Sequence, residues 1–134
     1  MSRYAIVGGG VAGVTAARGL AQSASPPEDE IHVFSEEAYP YYPRPLLWKF
    51  IADQMDQEEL TFQPLSWYEE RGIQFHLDAP VASLDANAHR LTLESGDLVT
   101  YDRLLLATGA RPFIPPVAGS DKKGVFTLRS LDDA

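Results

Sequence analysis

Cysteine is absent from the 134 residues. Its absence excludes a structural disulfide, a thiolate zinc site and a dithiol relay, so any redox chemistry must reside in a bound cofactor. Histidine is scarce. His32, His76 and His89 lack the paired spacing of metal ligands and read as surface or structurally satisfied side chains, which leaves no metal site. Positive charge is also short, with 11 basic against 19 acidic residues and a net charge of −8. A surface of that sign, with a pI near 4.7, repels nucleic acid and anionic lipid and makes neither a partner. Internal repeats and low-complexity segments are missing. What is present is 45% apolar content over a single-domain length, enough for one core around one main sheet.

The N-terminal run YAIVGGGVAGVTAARGL, followed after a proline-broken loop by IHVFSEE, reads as strand, glycine turn, helix, strand, carboxylate. That order is a dinucleotide-binding fingerprint, and each glycine has its own task. Gly8 permits the sharp turn off the strand, Gly10 lets backbone approach a pyrophosphate, and Gly13 lets the helix lie close to the sheet. The unpaired N–H groups of the helix start, at the positive end of its dipole, form an anion site without a basic side chain. Glu36 stands roughly twenty residues beyond the last glycine, where a carboxylate accepts hydrogen bonds from a ribose diol. The competing reading is a turn shaped only for packing. The same glycines would break the apolar core of a signal peptide, so the protein is expected in the cytoplasm.

Further along, the pattern predicts a first strand over Arg3 to Val7, a helix from Val11 to about Ala21, a polar proline loop over Ser25 to Asp29 and a second strand over Ile31 to Phe34. The prolines and tyrosines of YPYYPRPLLWKF forbid regular structure before a short helix from Leu46. A polar break over Asp53 to Glu59 precedes a helix that starts at Pro64 and stops at Gly72, then a third strand over Ile73 to Leu77. Alternating runs from Val81 to Thr100, with a turn at Ser95-Gly96-Asp97, predict a small antiparallel meander. The run LLLA within Asp102 to Ala107 predicts a parallel strand buried on both faces, ending in the small-residue turn Thr108-Gly109. A last short strand is expected over Val125 to Leu128. Ser130 and Asp133 have the spacing of a helix cap, which suggests the N-terminal piece of a longer enzyme.

Together, GGGVAG, FSEE, YYPRPLLWK, LTFQPLSWYEERGI, YDRLLLATGARP and GVFTLRSLDDA resemble the N-terminal FAD-binding segment of the pyridine nucleotide-disulfide oxidoreductase superfamily. The resemblance covers the whole chain. Within the superfamily it is most similar to the branch of the nitrite reductase large subunit and the rubredoxin and ferredoxin reductases. It implies a Rossmann-like α/β fold in which residues 1–134 form a partial FAD-binding domain, with the NAD(P)H-binding and C-terminal domains absent. It also implies FAD as cofactor, NAD(P)H as electron donor in the full-length enzyme, and a redox acceptor protein or fused metal domain as partner. Disulfide reductases carry redox cysteines after the second strand, where this chain has Pro43-Arg44-Pro45-Leu46-Leu47; no thiol relays electrons here.

By resemblance, Gly8, Gly10, Val11, Ala12 and Gly13 line the adenosine diphosphate half of FAD, and Glu36 or Glu37 meets the ribose. Ser35 occupies the position where many relatives place that carboxylate. Arg44 and Lys49 match basic positions that reach the cofactor, Val81 one whose backbone meets the adenine, Thr108, Gly109 and Arg111 the ATG segment, and Arg129 an arginine near FAD. Plainer roles stand beside these: Arg44 paired with Glu36 or Glu37, Lys49 solvated, the tyrosines at 39, 41 and 42 packing a loop, Trp67 and Tyr68 in the core. Trp48 replaces the small residue usual in the family. No catalytic base or nucleophile is nominated. A non-catalytic nucleotide- or FAD-binding module and an NAD-binding dehydrogenase domain remain as alternatives. The segment alone is expected to be inactive and, with apolar surface uncovered, prone to self-association.

Overall fold

The computed structural model describes residues 1–23 and 28–134. The prolines of the predicted Ser25 to Asp29 loop lie outside them. Among these residues, seven strands and four helices follow in the order β1 (Arg3–Val7), α1 (Val11–Gln22), β2 (Glu30–Phe34), a 3₁₀ turn (Arg44–Leu46), α2 (Leu47–Ile51), α3 (Gln57–Leu60), α4 (Leu65–Glu69), β3 (Ile73–His76), β4 (Val81–Asp85), β5 (Arg90–Leu93), β6 (Leu98–Thr100) and β7 (Arg103–Leu106). Instead of the single core expected from length, the chain divides into two compact units. One comprises Met1–Tyr42 and Thr61–Gly109, the other Pro43–Leu60 and Ala110–Ala134. Prolines 40, 43 and 45 and prolines 112, 115 and 116 lie near the first and last of the three crossings, where the ring removes backbone donors.

In the first unit the parallel sheet runs β3-β2-β1-β7, and β4-β5-β6 form the antiparallel meander that the alternating pattern predicted. The pleat sends alternate residues of β1 and β2 to opposite faces. Ile6, Ile31, Val33 and Ile73 pack with Val14 and Ala17 of α1 and Tyr68 of α4, which places Tyr68 in the core. Trp67 packs against that cluster. Burial pushes the Tyr68 phenol up to about 12. The other face carries Ala5, Val7 and Phe34 against Leu91 and Tyr101.

Three expectations are corrected. Among the described residues β7 is an edge strand, paired with β1 alone, and its LLLA run is not buried on both faces: Leu105 is 40% and Leu106 58% exposed. Val125 to Leu128 forms no strand. It has no ladder partner among the described residues; the Val125 amide instead closes a turn onto the Lys122 carbonyl at 3.2 Å, and Val125, Phe126 and Leu128 are exposed. The polar break before Pro64 contains α3, whose start is closed reciprocally. The Asp56 amide donates to Glu59 Oε2 at 2.9 Å and the Glu59 amide to Asp56 Oδ1 at 2.8 Å. That is a capping box with Asp in place of Ser or Thr. Ser130 and Asp133 make the reciprocal bonds of a cap, the Ser130 amide donating to Asp133 Oδ2 at 2.8 Å and the Asp133 amide to Ser130 Oγ at 3.3 Å, but they close a turn and open no helix; the Arg129 amide also donates to Asp133 Oδ2 at 2.8 Å, and these bonds hold that carboxyl below its usual range.

Two of the three histidines meet in space. His32 Nδ1 lies 3.0 Å from His76 Nε2, and the rings stack with each other and with Phe34. His32 Nε2 is buried, 3.5 Å from Glu30 Oε2, and Arg3 pairs with the same carboxylate. Among the described residues no third ligand joins the two imidazoles to hold a metal. Burial lowers both histidine pKa values, and each is further affected by a neighbouring charge. A histidine whose folded pKa lies below its unfolded value takes up its proton first in the unfolded chain. Stability therefore falls as pH drops below the unfolded value of about 6.5, by up to about 1.4 kcal/mol per pH unit for each histidine, until the folded pKa is reached. Urea unfolding between pH 7.5 and 5 should show this slope, and His76→Gln should flatten it; an unchanged slope would contradict the assignment.

Candidate nucleotide site

The strand registers bring the carboxyl ends of the parallel sheet level with one another. Val7 pairs with Phe34 and with Leu106, and Phe34 pairs with His76. The chain leaves β1 towards β2 on one side, while β7 lies on the other. The loop after β1 therefore sits where the strand order reverses, the place at which open α/β sheets bind ligands. Three loops are drawn together there: the Gly8 amide donates to the Phe34 carbonyl at 2.8 Å, the Ser35 amide to the His76 carbonyl at 2.9 Å, and the Ala107 amide to the Val7 carbonyl at 2.8 Å.

The glycines of the turn meet unequal surroundings. Gly8 has φ +117°, and a Cβ on it would stand 2.1 Å from the Ala107 carbonyl oxygen, so β7 comes as close to the turn as backbone allows. A Cβ on Gly13 would lie 1.9 Å from the Gly8 oxygen and 3.3 Å from Ile6 Cγ2; this is the close packing of helix on strand. Gly10 is different. Nothing lies within 4 Å of where its Cβ would be, and its φ of −80° and ψ of −174° suit any residue. Neither conformation nor internal packing explains a glycine there. Gly9, which the fingerprint reading passed over, is also limited by space, since its Cβ would come within 2.9 Å of Ser35 Cβ, Ser35 Oγ and Phe75 Cζ. Its signal lay in the third consecutive glycine.

Gly10 is the N-cap of α1, its carbonyl accepting from the Val14 amide at 3.0 Å. The cap has no side-chain hydrogen bond and the first turn no acidic residue. The early N–H groups of the helix, from Val11, Ala12 and Gly13, thus open beside the empty space at Gly10, and Val11 is 64% exposed. These features fit an anionic group such as a pyrophosphate.

At the end of β2, Ser35 is buried and its Oγ accepts from the Glu37 amide at 3.2 Å. Glu36 is exposed, Glu37 half-buried, and the Tyr42 hydroxyl donates to Glu37 Oε2. Tyr42 is buried, so this tyrosine does pack its loop. The segment leading to Val81 is fastened here too: the Ala79 amide donates to the Ser35 carbonyl at 2.8 Å and the Asp78 amide to the Glu37 carbonyl at 3.1 Å. Val81 opens β4 half-buried, Thr108 is exposed, and Gly109 takes φ +71°. The first unit accordingly gathers the glycine turn, Glu36, Glu37, Val81 and Thr108-Gly109 at one end of its sheet.

The remaining nominated residues belong to the second unit. Arg44, at the start of the 3₁₀ turn, donates from Nη1 to the Arg129 carbonyl, which brings together two basic residues far apart in sequence. Lys49 lies on α2 with Nζ 5.7 Å from the centroid of the half-exposed Trp48 ring. Arg111 is exposed.

Comparison with known proteins agrees with this geometry. Residues 2–134 match the pyridine nucleotide-disulphide oxidoreductase family. The chain is 37% identical over 128 residues to a nitrite reductase [NAD(P)H] of Bacillus subtilis, covering 96% of this chain and 16% of that protein. It is 38% identical over 130 residues to the ferredoxin–NAD(+) reductase component of the biphenyl dioxygenase system of Paraburkholderia xenovorans, covering 97% and 31%. The crystal structure of NADH:rubredoxin oxidoreductase from Clostridium acetobutylicum superposes with a TM-score of 0.84 at 30% identity, over 98% of this chain and 33% of that one. A ferredoxin reductase from Rhodopseudomonas palustris gives 0.87 at 30%, over 99% and 32%. The chain thus spans a third or less of each of these relatives. With its fingerprint, its sheet order and its meander all in place, the chain belongs to the pyridine nucleotide-disulphide oxidoreductase family.

Proposed function

We propose that these residues form the FAD-binding part of an NAD(P)H-dependent flavin oxidoreductase, and that they hold the adenosine diphosphate half of the cofactor. The observation that carries the reading is Gly10. Its neighbours Gly8, Gly9 and Gly13 lack side chains because protein fills the space, whereas the space at Gly10 is open and faced by the start of α1. The amides of Val11, Ala12 and Gly13 donate to the pyrophosphate, Glu36 accepts from the ribose diol, and the backbone at Val81 borders the adenine. Thr108 and Gly109 border the cofactor further along. FAD, when bound, supplies the chemistry of accepting a hydride from NAD(P)H and releasing electrons singly or in pairs. This chain's residues bind and orient; no side chain here is assigned a proton or a nucleophilic role.

The acceptor in this reading is a redox protein or a fused metal domain, in keeping with the rubredoxin and ferredoxin–NAD(+) reductases to which the chain is similar. No helix among the described residues is long and apolar enough to cross a membrane; the proposed location is the cytoplasm. The apolar edge at Leu105 and Leu106 and the exposed Phe113 and Phe126 favour self-association of the segment when it is produced alone.

Titration of the flavin-free protein with FAD tests the assignment. Glu36→Ala removes charge-assisted hydrogen bonds worth roughly 1.5–3 kcal/mol, so affinity should fall about ten- to a hundredfold. Unchanged affinity, with Glu37 intact and then also removed, would sink the ribose assignment.

Arg44 and Lys49 offset the acidic background of the chain for an anionic cofactor. The contact with the Arg129 carbonyl fixes the Arg44 guanidinium, so neutralising it removes a positioned charge. Arg44→Gln should weaken FAD binding and flatten its dependence on salt between 50 and 500 mM, a range over which screening of a charge pair rises steeply (about 10 Å Debye length at 0.1 M). Equal salt slopes in wild type and variant would leave the arginine as a loop fastening alone.

A further inference from the structure

Glu36 and Glu37 are adjacent carboxylates at the end of β2, and the sequence leaves open which one meets the ribose. We propose that Glu37 is not a ribose ligand but forms, with Tyr42, a brace that presents Glu36. The proposal rests on the reading of this turn as the adenosine site.

Glu37 is tied at three points. Its amide donates to Ser35 Oγ at 3.2 Å, its carbonyl accepts from the Asp78 amide at 3.1 Å, and its carboxylate accepts from the Tyr42 hydroxyl. Tyr42 is 5% exposed, so packing sets the direction of its O–H, and turning Glu37 towards a ligand would strip a buried hydroxyl of an acceptor. Ser35 is tied as firmly on the other side: it is 4% exposed, its amide donates to His76 and its carbonyl accepts from Ala79. Glu36 is the residue between these two, and it is exposed. The peptide bearing it is therefore held at both ends.

Ser35 adds a spacing function. Its Cβ and Oγ would stand 2.9 Å from a Cβ on Gly9, so the small side chain lies directly against the glycine turn. Glycine turn, Ser35, Glu36 and the brace form one rigid sequence of contacts, which fixes the separation between the pyrophosphate donors and the ribose acceptor. Tyr42 and Glu37 act through Glu36 and are positioning residues.

The test measures binding of ADP and of 2′-deoxy-ADP to the full protein freed of flavin. Wild type should favour ADP by about tenfold or more, and Glu36→Ala, which removes the acceptor, should bring the ratio close to one. Tyr42→Phe, which keeps the ring and its packing, and Glu37→Ala should each lower the ratio severalfold. Neither should change it further when Glu36 is already Ala. Glu37→Gln still offers an oxygen to the Tyr42 hydroxyl and should keep the wild-type ratio. The brace is overturned if Glu37→Gln abolishes the preference as Glu36→Ala does, or if Tyr42→Phe weakens both nucleotides equally and leaves the ratio intact. A wild type that does not distinguish the two nucleotides overturns the ribose assignment itself, a result separable from failure of the brace.

Discussion

Gly10→Val should yield a folded protein that purifies without flavin. The position accepts a side chain on backbone grounds, with φ −80° and ψ −174°, and no atom lies within 4 Å of the new Cβ. Exchange of glycine for valine at an N-cap costs about 1 kcal/mol, so the unfolding midpoint should move by only a few degrees. The added isopropyl group occupies the space assigned to the pyrophosphate. Loss of two charge-assisted N–H bonds alone lowers affinity by about a hundredfold or more. Gly13→Val provides the contrast. Its Cβ would stand 1.9 Å from a backbone oxygen, which no rotamer relieves, and the helix must leave the sheet. Destabilisation of at least about 3 kcal/mol is expected, a large share of the stability of a domain. Thermal unfolding together with flavin absorbance separates the two variants. Equal loss of fold in both would show that Gly10 is a packing residue after all.

The second large effect concerns the 134 residues produced alone. They carry one glycine fingerprint and no second one for a nicotinamide nucleotide, and their similarity extends over a third or less of relatives that oxidise NADH or NAD(P)H by name. The segment should therefore show no NADH oxidation above the rate of free flavin, hold FAD weakly, and run larger than a monomer in light scattering. A yellow, monomeric segment that oxidises NADH at enzymatic rates would contradict this.

Much of the unit that carries the turn could be read from residue order. β1 runs from Arg3 to Val7 as predicted, because the apolar run is short, β-branched and closed by Gly8. α1 begins at Val11 because nothing after Gly10 breaks the helix before Ser23. The meander followed from alternation and from Gly96. The reading failed where partners rather than propensities decide. LLLA has the composition of a central strand, yet among the described residues it pairs with β1 alone and forms an edge. Val125 to Leu128 has strand-like residues and no ladder partner among the described residues. His32 and His76 are 44 positions apart, and only the register of β2 on β3 brings their rings together. Within the site, the turn at Gly8 and the close packing at Gly13 were legible because each follows from a fixed place in the glycine turn. The fastening of Glu37 was not, since it depends on the direction of one buried hydroxyl on Tyr42.

The most direct measurement is a crystal structure of the FAD complex. The account predicts density for the pyrophosphate against Gly10 and the first amides of α1, with the adenosine ribose hydroxyls within about 2.5–3.0 Å of the Glu36 carboxylate. A pyrophosphate bound elsewhere, with the space at Gly10 filled only by solvent, would contradict it.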